Sequence, residues 1–373
     1  MSDDMLLGKQ HAPSDIYSPL FGPGMGFKTN AYNTRTRPTD ADAHRFGEKP
    51  WLIYTSWLLN RRFGSRKRKG QVHFGHVLSR NVMREAMNSF PRPNLYSACS
   101  RFRGDQSFQL YGWYNSFHYL IERNREAMLW SYLMLRSDVD RDGYLSWQER
   151  KVILDDLADG MQNEAKSSFR ARNFYHVPDM LERAGLEAPL VNTDILWTSL
   201  DGPVMIKDIE CHDFDVNDCL APGFSTDFTD SHHRSPVFVA ATVFDRVARQ
   251  EPTCGDCLIK ILLHRVEAGL GPILPHMNTQ MTERDLAVKA LMRYKYQIIA
   301  PDGLFVMVTD AEQVESTLIK RLVKRKQRFG QMCLNDDVDT DDEGSLQDLR
   351  AAMTDLYTGL FPTPSKFEKA HRG

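Results

Sequence analysis

Residues 138–149 read D-V-D-R-D-G-Y-L-S-W-Q-E, and no other stretch limits the local fold as tightly. Asp138, Asp140 and Asp142 alternate, so one short turn carries a set of hard oxygen donors. Gly143 follows at the point where such a turn must be sharp. Tyr144 offers a backbone carbonyl, Leu145 an apolar anchor, and Ser146 the position that a water commonly bridges. Glu149, last in the run, closes the ring with a carboxylate that can give both oxygens. Calcium takes about six to eight oxygens in a flexible shell, and this spacing is that of an EF-hand loop. Helical patterns flank it on both sides. The expected ligands of a structural Ca2+ are therefore Asp138, Asp140, Asp142, Tyr144, Ser146 and Glu149. An acidic turn that caps a helix is the plainer alternative. A single loop of this kind argues against a paired calcium sensor. The acidic run starting at Asp339 fails the same test, because its closing position is Arg350, a cation where the last ligand belongs.

The chain has 373 residues, room for roughly two domains. Its 47 basic and 49 acidic side chains leave a net charge of -2, so no overall field draws it to nucleic acid or an anionic membrane. No apolar run is long enough to predict a membrane-spanning helix within these residues. The opening MSDDMLLGKQHAPSD lacks the basic-then-apolar order of a secretory leader.

Along the chain, residues 1–50 are rich in Gly, Pro, Asp and Asn, and FGPGMGF (21–27) and TRPTDAD (36–42) predict loops. WLIYTSWLLN (51–60) fits a strand or a buried helix. The basic run Arg61, Arg62, Arg66, Lys67, Arg68 and Lys69 predicts a solvated loop. Ser79 is placed to cap a helix whose apolar face is Val82, Met83, Ala86 and Met87, with Pro91 and Pro93 ending it. Residues 107–135 predict a long helix buried on most sides. Farther on, 300–310 predicts a turn and a strand, 315–326 a basic amphipathic helix, and 333–344 an acidic loop. Ser345 and Asp348 then form a capping-box pattern ahead of Leu346, Leu349, Met353, Leu356 and Leu360.

Two shorter motifs carry chemistry. His73 and His76 form H-x-x-H; an imidazole titrates near neutrality, but no third ligand stands nearby to complete a zinc site. Cys254 and Cys257 form C-G-D-C with no second C-x-x-C. In the cytosol that suggests redox chemistry or half a zinc site. In an oxidising compartment Cys211 would pair with Cys219, or Cys254 with Cys257.

Several segments together resemble the Stealth family, which takes in bacterial capsule-polymer sugar-phosphate transferases, an animal GlcNAc-1-phosphotransferase and a fungal xylosylphosphotransferase. HFGHVLSRNVMREAMNSFP, SRFRGDQ and FQLYGWYNSFHYL, within 73–120, resemble its third conserved region. RYKYQI, LFVMV, CLNDDVD and FPTPSKFE, between 293 and 368, resemble the fourth. SDDMLLGK (2–9) resembles the end of the second, with Ser2 where the family has asparagine. What the family carries before that acidic pair is missing, so Met1 reads as an internal methionine of a longer protein.

The resemblance implies an α/β fold: the C-terminal part of a Rossmann-like nucleotide-sugar transferase core, with helical insertions and the one EF-hand-like loop. It divides the chain into a partial catalytic core at 1–135, the loop segment at 136–160, a poorly matched insertion at 161–290, and the rest of the core at 291–373. It implies transfer of a sugar-1-phosphate from a nucleotide sugar to a glycan hydroxyl, with release of a nucleoside monophosphate. By the same carry-over His73 is the general base and Arg103 holds phosphate oxygens. Asp3 and Asp4 hold a catalytic Mg2+ or Mn2+ or the acceptor hydroxyl. Asp105 and Gln106 orient the arginine or the donor, and Asn335 and Asp336 contact substrate. The expected partners are the nucleotide sugar and the glycan, with a homo-oligomer allowed and no nucleic acid. The expected location is the Golgi or secretory pathway, although the chain as written carries no anchor and would otherwise stay in the reducing cytosol, where thiols persist. Two other readings compete: a calcium-stabilised binding module without catalysis, and a subunit that completes a separate N-terminal chain.

Overall fold

The structure, a computed structural model, describes residues 5–43, 47–101, 108–164, 177–191, 193–203, 209–228, 235–263, 269–300 and 302–363. It is a mixed α/β fold. The strands are β1 Met5–Leu7, β2 Tyr17–Ser18, β3 Gly22–Met25, β4 Phe27–Tyr32, β5 Arg68–Gln71, β6 Asp194–Thr198, β7 Gln297–Ala300, β8 Gly303–Val308 and β9 Gln331–Asp336. They form three small sheets, ordered β1-β9-β8, β2-β3-β7-β6 and β4-β5.

The sheet β1-β9-β8 shows most clearly how the pattern becomes structure. β8 and β9 run parallel, in register from Gly303 opposite Gln331 to Val308 opposite Asp336. Parallel neighbours need a crossover, and here it is helical, through Ala311–Gln313 and Val314–Lys324. Side chains alternate across a strand, so Leu304, Val306 and Val308 share one face. That face packs with Leu318 and Leu322 of the crossover and with Leu349 and Leu356 of the terminal helix Glu343–Leu360. Phe305 and Met307 take the opposite face. β1 pairs antiparallel with the other side of β9, Met5 opposite Cys333.

Four sequence expectations give way here. The glycine- and proline-rich run at 21–27 is not loop: it forms β3, buried at every residue and parallel to β7, and the start of β4. Strand pairing with a distant segment outweighs local propensity there. The acidic stretch at 333–344 begins as strand, since β9 extends to Asp336. The terminal helix is capped not by Ser345 but by Asp342, whose Oδ2 accepts from the Ser345 N–H at 2.8 Å. The basic run at 61–69 is not a solvated loop. Phe63 ends the helix Lys49–Phe63, and β5 begins at Arg68, which is 1% exposed.

The helix Gly112–Trp130, which continues as Ser131–Arg136, carries the core. Its first half, with Tyr114, Phe117, Leu120 and Ile121, packs against Leu52, Leu59, Phe63, Val82 and Ala86. Its second half, with Met128 and Leu129, packs against Ile153, Leu157, Leu258 and Ile261. Charged groups join the halves. Glu122 accepts from Arg68 at 2.8 Å and lies 3.3 Å from Arg66. Asp256 lies 3.0 Å from Arg66 and also holds Arg125. Arg125 donates to the carbonyls of Ala248 and Val247, each at 2.8 Å, and of Pro252 at 2.7 Å. The Val247 and Ala248 carbonyls lie in the last turn of Arg246–Gln250, where orphan acceptors need donors, and Pro252 opens the next helix, Pro252–Leu263. His118 lies inside the same region, its Nε2 bonded to the Lys69 carbonyl at 2.9 Å, and burial pushes its pKa down to about 3.

The cysteines pair as Cys211–Cys257 and Cys219–Cys254, so both pairings expected from spacing are wrong. Cys254 and Cys257 lie one turn apart on the helix Pro252–Leu263. A helix points such residues to one side, and each meets a partner on the facing segment. Cys99 and Cys333 stay reduced.

Candidate functional site

The segment between β5 and the helix Arg80–Asn88 holds the H-x-x-H pair, and it docks on the β8–β9 sheet. The Gly75 N–H donates to Gln331 Oε1 at 2.7 Å. Phe74 lies so close to Gly303 that a Cβ there would stand 1.9 Å from its ring. Only glycine allows this approach, which fixes the segment against the start of β8. Ser79 then caps the following helix, its Oγ accepting from the Val82 N–H at 3.5 Å. That helix ends at Asn88, and Pro91 opens the next, Pro91–Cys99.

The two histidines point to different surroundings. His76 bonds the Val72 carbonyl at 2.9 Å through Nε2 and packs against Phe117, with ring centroids 5.0 Å apart. Burial lowers its pKa. His73 packs edge-on against Phe305 at 4.9 Å. Lys28 of β4 donates to His73 Nε2 at 3.3 Å, and Glu48 Oε1 stands 4.0 Å from the same nitrogen. Glu48 is in turn held by the Tyr111 hydroxyl, which donates to its Oε2 at 2.7 Å. Lys28 also lies over the Phe305 ring at 5.6 Å. Among the described residues no metal-ligating cluster includes either histidine.

Asn335 sits opposite Met307, and its amide lies 3.5 Å from that residue's sulfur. Because Phe305 and Met307 share a face, His73 and Asn335 lie along the same side of the sheet, toward the carboxyl ends of two parallel strands. Asp336 falls on the other face, where its Oδ1 accepts from the Val338 N–H at 3.1 Å. Asp3, Asp4, Arg103, Asp105 and Gln106 lie outside the described residues. Lys28, Glu48, Tyr111 and Phe305 were not expected at a site from sequence. Each comes from a different element, and no local spacing links them.

The acidic loop forms a second centre. Asp138, Asp140 and Glu149 each bring a carboxylate oxygen within 4.8 Å of the others. Arg141, at φ 63°, and Gly143, at φ 82°, make the turn. Glu149 lies in the first turn of the helix Trp147–Glu164 and reaches across the loop. Its oxygens accept from the Val139 N–H at 2.6 Å and from the Ser146 N–H and hydroxyl, both at 2.8 Å. Asp142 Oδ1 accepts from the Tyr144 N–H at 2.8 Å and stands outside the three-carboxylate group. Asp138 Oδ1 is buried with no hydrogen-bond partner, and burial together with the nearby Glu149 raises the Asp138 pKa. A buried, unpartnered carboxylate oxygen facing two more carboxylates suits a hard cation.

The far side of this loop is not open. Tyr144 bridges Val239, the Leu145 N–H donates to the Phe238 carbonyl at 2.8 Å, and the Ala240 N–H donates to the Gly143 carbonyl at 2.9 Å. Leu145 is fully buried in the core that also holds Phe238 and the helix Pro252–Leu263. The loop is thus tied to the disulfide-bearing part of the chain.

Comparison with known proteins adds a lineage to this geometry. Residues 320–372 match the family model of Stealth protein CR4, conserved region 4. The chain is 28% identical over 308 residues to a 3-O-alpha-D-mannopyranosyl-alpha-D-mannopyranose xylosylphosphotransferase of Cryptococcus neoformans var. neoformans serotype D, covering 77% of this chain and 34% of the relative. A protein of the same name from Cryptococcus neoformans var. grubii is 28% identical over 305 residues, with the same coverage. The human N-acetylglucosamine-1-phosphotransferase subunits alpha/beta are 20% identical over 320 residues, covering 85% of this chain and 20% of the relative. The chain thus spans about a third of the length of the fungal relatives. Residues 320–372 thus carry the Stealth conserved region 4, and the chain as a whole is similar to sugar-phosphate transferases.

Proposed function

We propose that this chain contributes the acid–base half of a sugar-phosphate transferase site. A glycan hydroxyl attacks the phosphorus next to the sugar of a nucleotide sugar. The bond from that phosphorus to the bridging oxygen breaks, and a nucleoside monophosphate leaves. The observation that carries the reading is His73, held beside Lys28 and Glu48 on the sheet face that also bears Asn335. In open parallel sheets ligands bind beyond the carboxyl ends of the strands, and the β8-helix-β9 unit fits a Rossmann-like core of that kind. His73 takes the proton of the attacking hydroxyl. The Lys28 ammonium stands where charge builds on phosphoryl oxygens, and Asn335 holds donor or acceptor hydroxyls. Glu48, clamped by Tyr111, stands where its carboxylate favours the imidazolium that forms as His73 takes the proton. Arg103, with Asp105 and Gln106, supplies the planar phosphate clamp, and Asp3 and Asp4 are the candidates for Mg2+ or Mn2+. The two disulfides favour an oxidising compartment and hence the Golgi or secretory pathway. In the full protein, His73→Ala is expected to lower kcat/KM for sugar-phosphate transfer by about a hundredfold or more. Near-normal turnover removes His73 from the chemistry.

The second centre is read as a structural Ca2+ site of EF-hand type, held by Asp138, Asp140 and Glu149 with Asp142, Tyr144 and Ser146. The ion would neutralise three crowded carboxylates and fix the loop against 238–240. This centre also favours a second reading, a calcium-stabilised module without catalysis. Calcium returned to chelator-stripped chain is expected to raise the melting temperature by several degrees. At a hundredfold excess over Kd, linkage gives about 3 kcal/mol. An unchanged melting temperature sinks the site. A calcium response without transfer in the full protein leaves the module reading standing alone.

A further inference from the structure

The helix Arg80–Asn88 buries Val82 and Ala86, and its other side is wet. There Asn81, Arg84 and Asn88 stand in one stripe, three and four residues apart. With Glu85, Ser89 and Arg293 they line a groove of about 550 Å³. Its one carboxylate is already occupied. Glu85 Oε1 accepts from the Tyr294 hydroxyl at 2.6 Å and the Tyr119 hydroxyl at 2.8 Å, and Oε2 accepts from Arg293 at 2.7 Å. Burial pulls the Glu85 pKa upward, but donation from Tyr294, Tyr119 and Arg293 outweighs it and holds the carboxyl below its ordinary range. Glu85 therefore stays anionic, and it pins the Arg293 guanidinium at the rim.

What the groove offers a visitor is mostly donors. Arg84 makes no ion pair or hydrogen bond with any described residue, and the amides of Asn81 and Asn88 are likewise uncommitted. Two guanidiniums against one carboxylate leave the groove net positive. No aromatic ring is among its lining residues, so the flat apolar platform that suits a neutral sugar is missing. Its volume exceeds that of a bare oxyanion.

We propose that this groove binds a charged sugar unit, a hexose bearing a phosphate or a carboxylate, with its oxyanion on Arg84 and its hydroxyls on Asn81, Asn88 and the rim. The planar fork of Arg84 accepts either oxyanion in a paired geometry. The proposal concerns binding alone and stands whether or not His73 acts in transfer.

The test titrates glucose 6-phosphate, glucuronate and glucose into the full chain at low salt, followed by calorimetry. At least one charged sugar is expected to bind, glucose is not, and binding weakens as salt rises. Tighter glucose 6-phosphate identifies phosphate as the source of the charge, and tighter glucuronate identifies a carboxylate. Arg84→Gln is expected to weaken binding about tenfold or more, the size of one lost charge-assisted contact. Arg84 is exposed and bonds no described residue, so that variant should fold. Asn88→Asp places a competing carboxylate one turn away and is expected to weaken binding similarly. Glucose binding as well as the charged sugars, no binding by either charged sugar, or unchanged affinity in Arg84→Gln each overturns the proposal.

Discussion

Asp256→Ala is expected to destabilise the fold by about 3–5 kcal/mol, the cost of leaving buried charge unpaired. Asp256 is 3% exposed and serves two guanidiniums, Arg66 at 3.0 Å and the fully buried Arg125. Glu122 remains, but it already holds Arg68 and Arg66. The variant leaves a buried cluster of three arginines facing one carboxylate, with Arg125 kept in place only by backbone carbonyls. Urea unfolding of the purified chain reads the effect as a lowered midpoint. Asp256→Asn keeps an acceptor and should lose less. A loss under about 1 kcal/mol in Asp256→Ala means that water enters and solvates the cluster, as at an exposed pair.

Loss of either disulfide is expected to cost nearly as much. Cys211–Cys257 closes 46 residues and Cys219–Cys254 closes 35, and the chain-entropy estimate for loops of this size is about 4 kcal/mol each. The loops overlap, so removing both should cost less than twice one. Cys219→Ser with Cys254→Ser tests the second bridge by thermal unfolding. Peptide mapping without reductant tests the connectivity. A peptide joining Cys211 to Cys219, or Cys254 to Cys257, would overturn the crossed pairing.

What could be read in the sequence follows the range of the interactions. The acidic loop was legible because its donors lie within twelve positions, and the structure brings Asp138, Asp140 and Glu149 together. The helix after Ser79 and the strand at 303–308 were legible because cap and periodicity are local. β3 was not, because Gly and Pro carry no sign of a parallel neighbour almost three hundred residues away. Arg66, Arg68 and Arg125 were not, because a charge looks solvated until its partner is known, and those partners, Asp256 for Arg66 and Arg125 and Glu122 for Arg68, are remote in sequence. The cysteine pairing failed for the same reason: spacing names the residues, not the connectivity. At the candidate site His73 was singled out, while Lys28, Glu48 and Tyr111 beside it were invisible, since each reaches it from a separate element.

The join between β1 and β9 bears on how the molecule is made. His11 bonds the Gly330 carbonyl across 319 positions, and β1 has no partner strand until β9 exists. A ribosome adds about 5–20 residues per second, so the first strand waits some tens of seconds for its neighbour. The helical middle, with its shorter-range contacts, has time to collapse and oxidise in that interval. The sheet bearing Asn335, and the surface on which His73 rests, then close last. A nascent chain can therefore carry a cross-linked body while the sheet face that bears Asn335 has not yet formed.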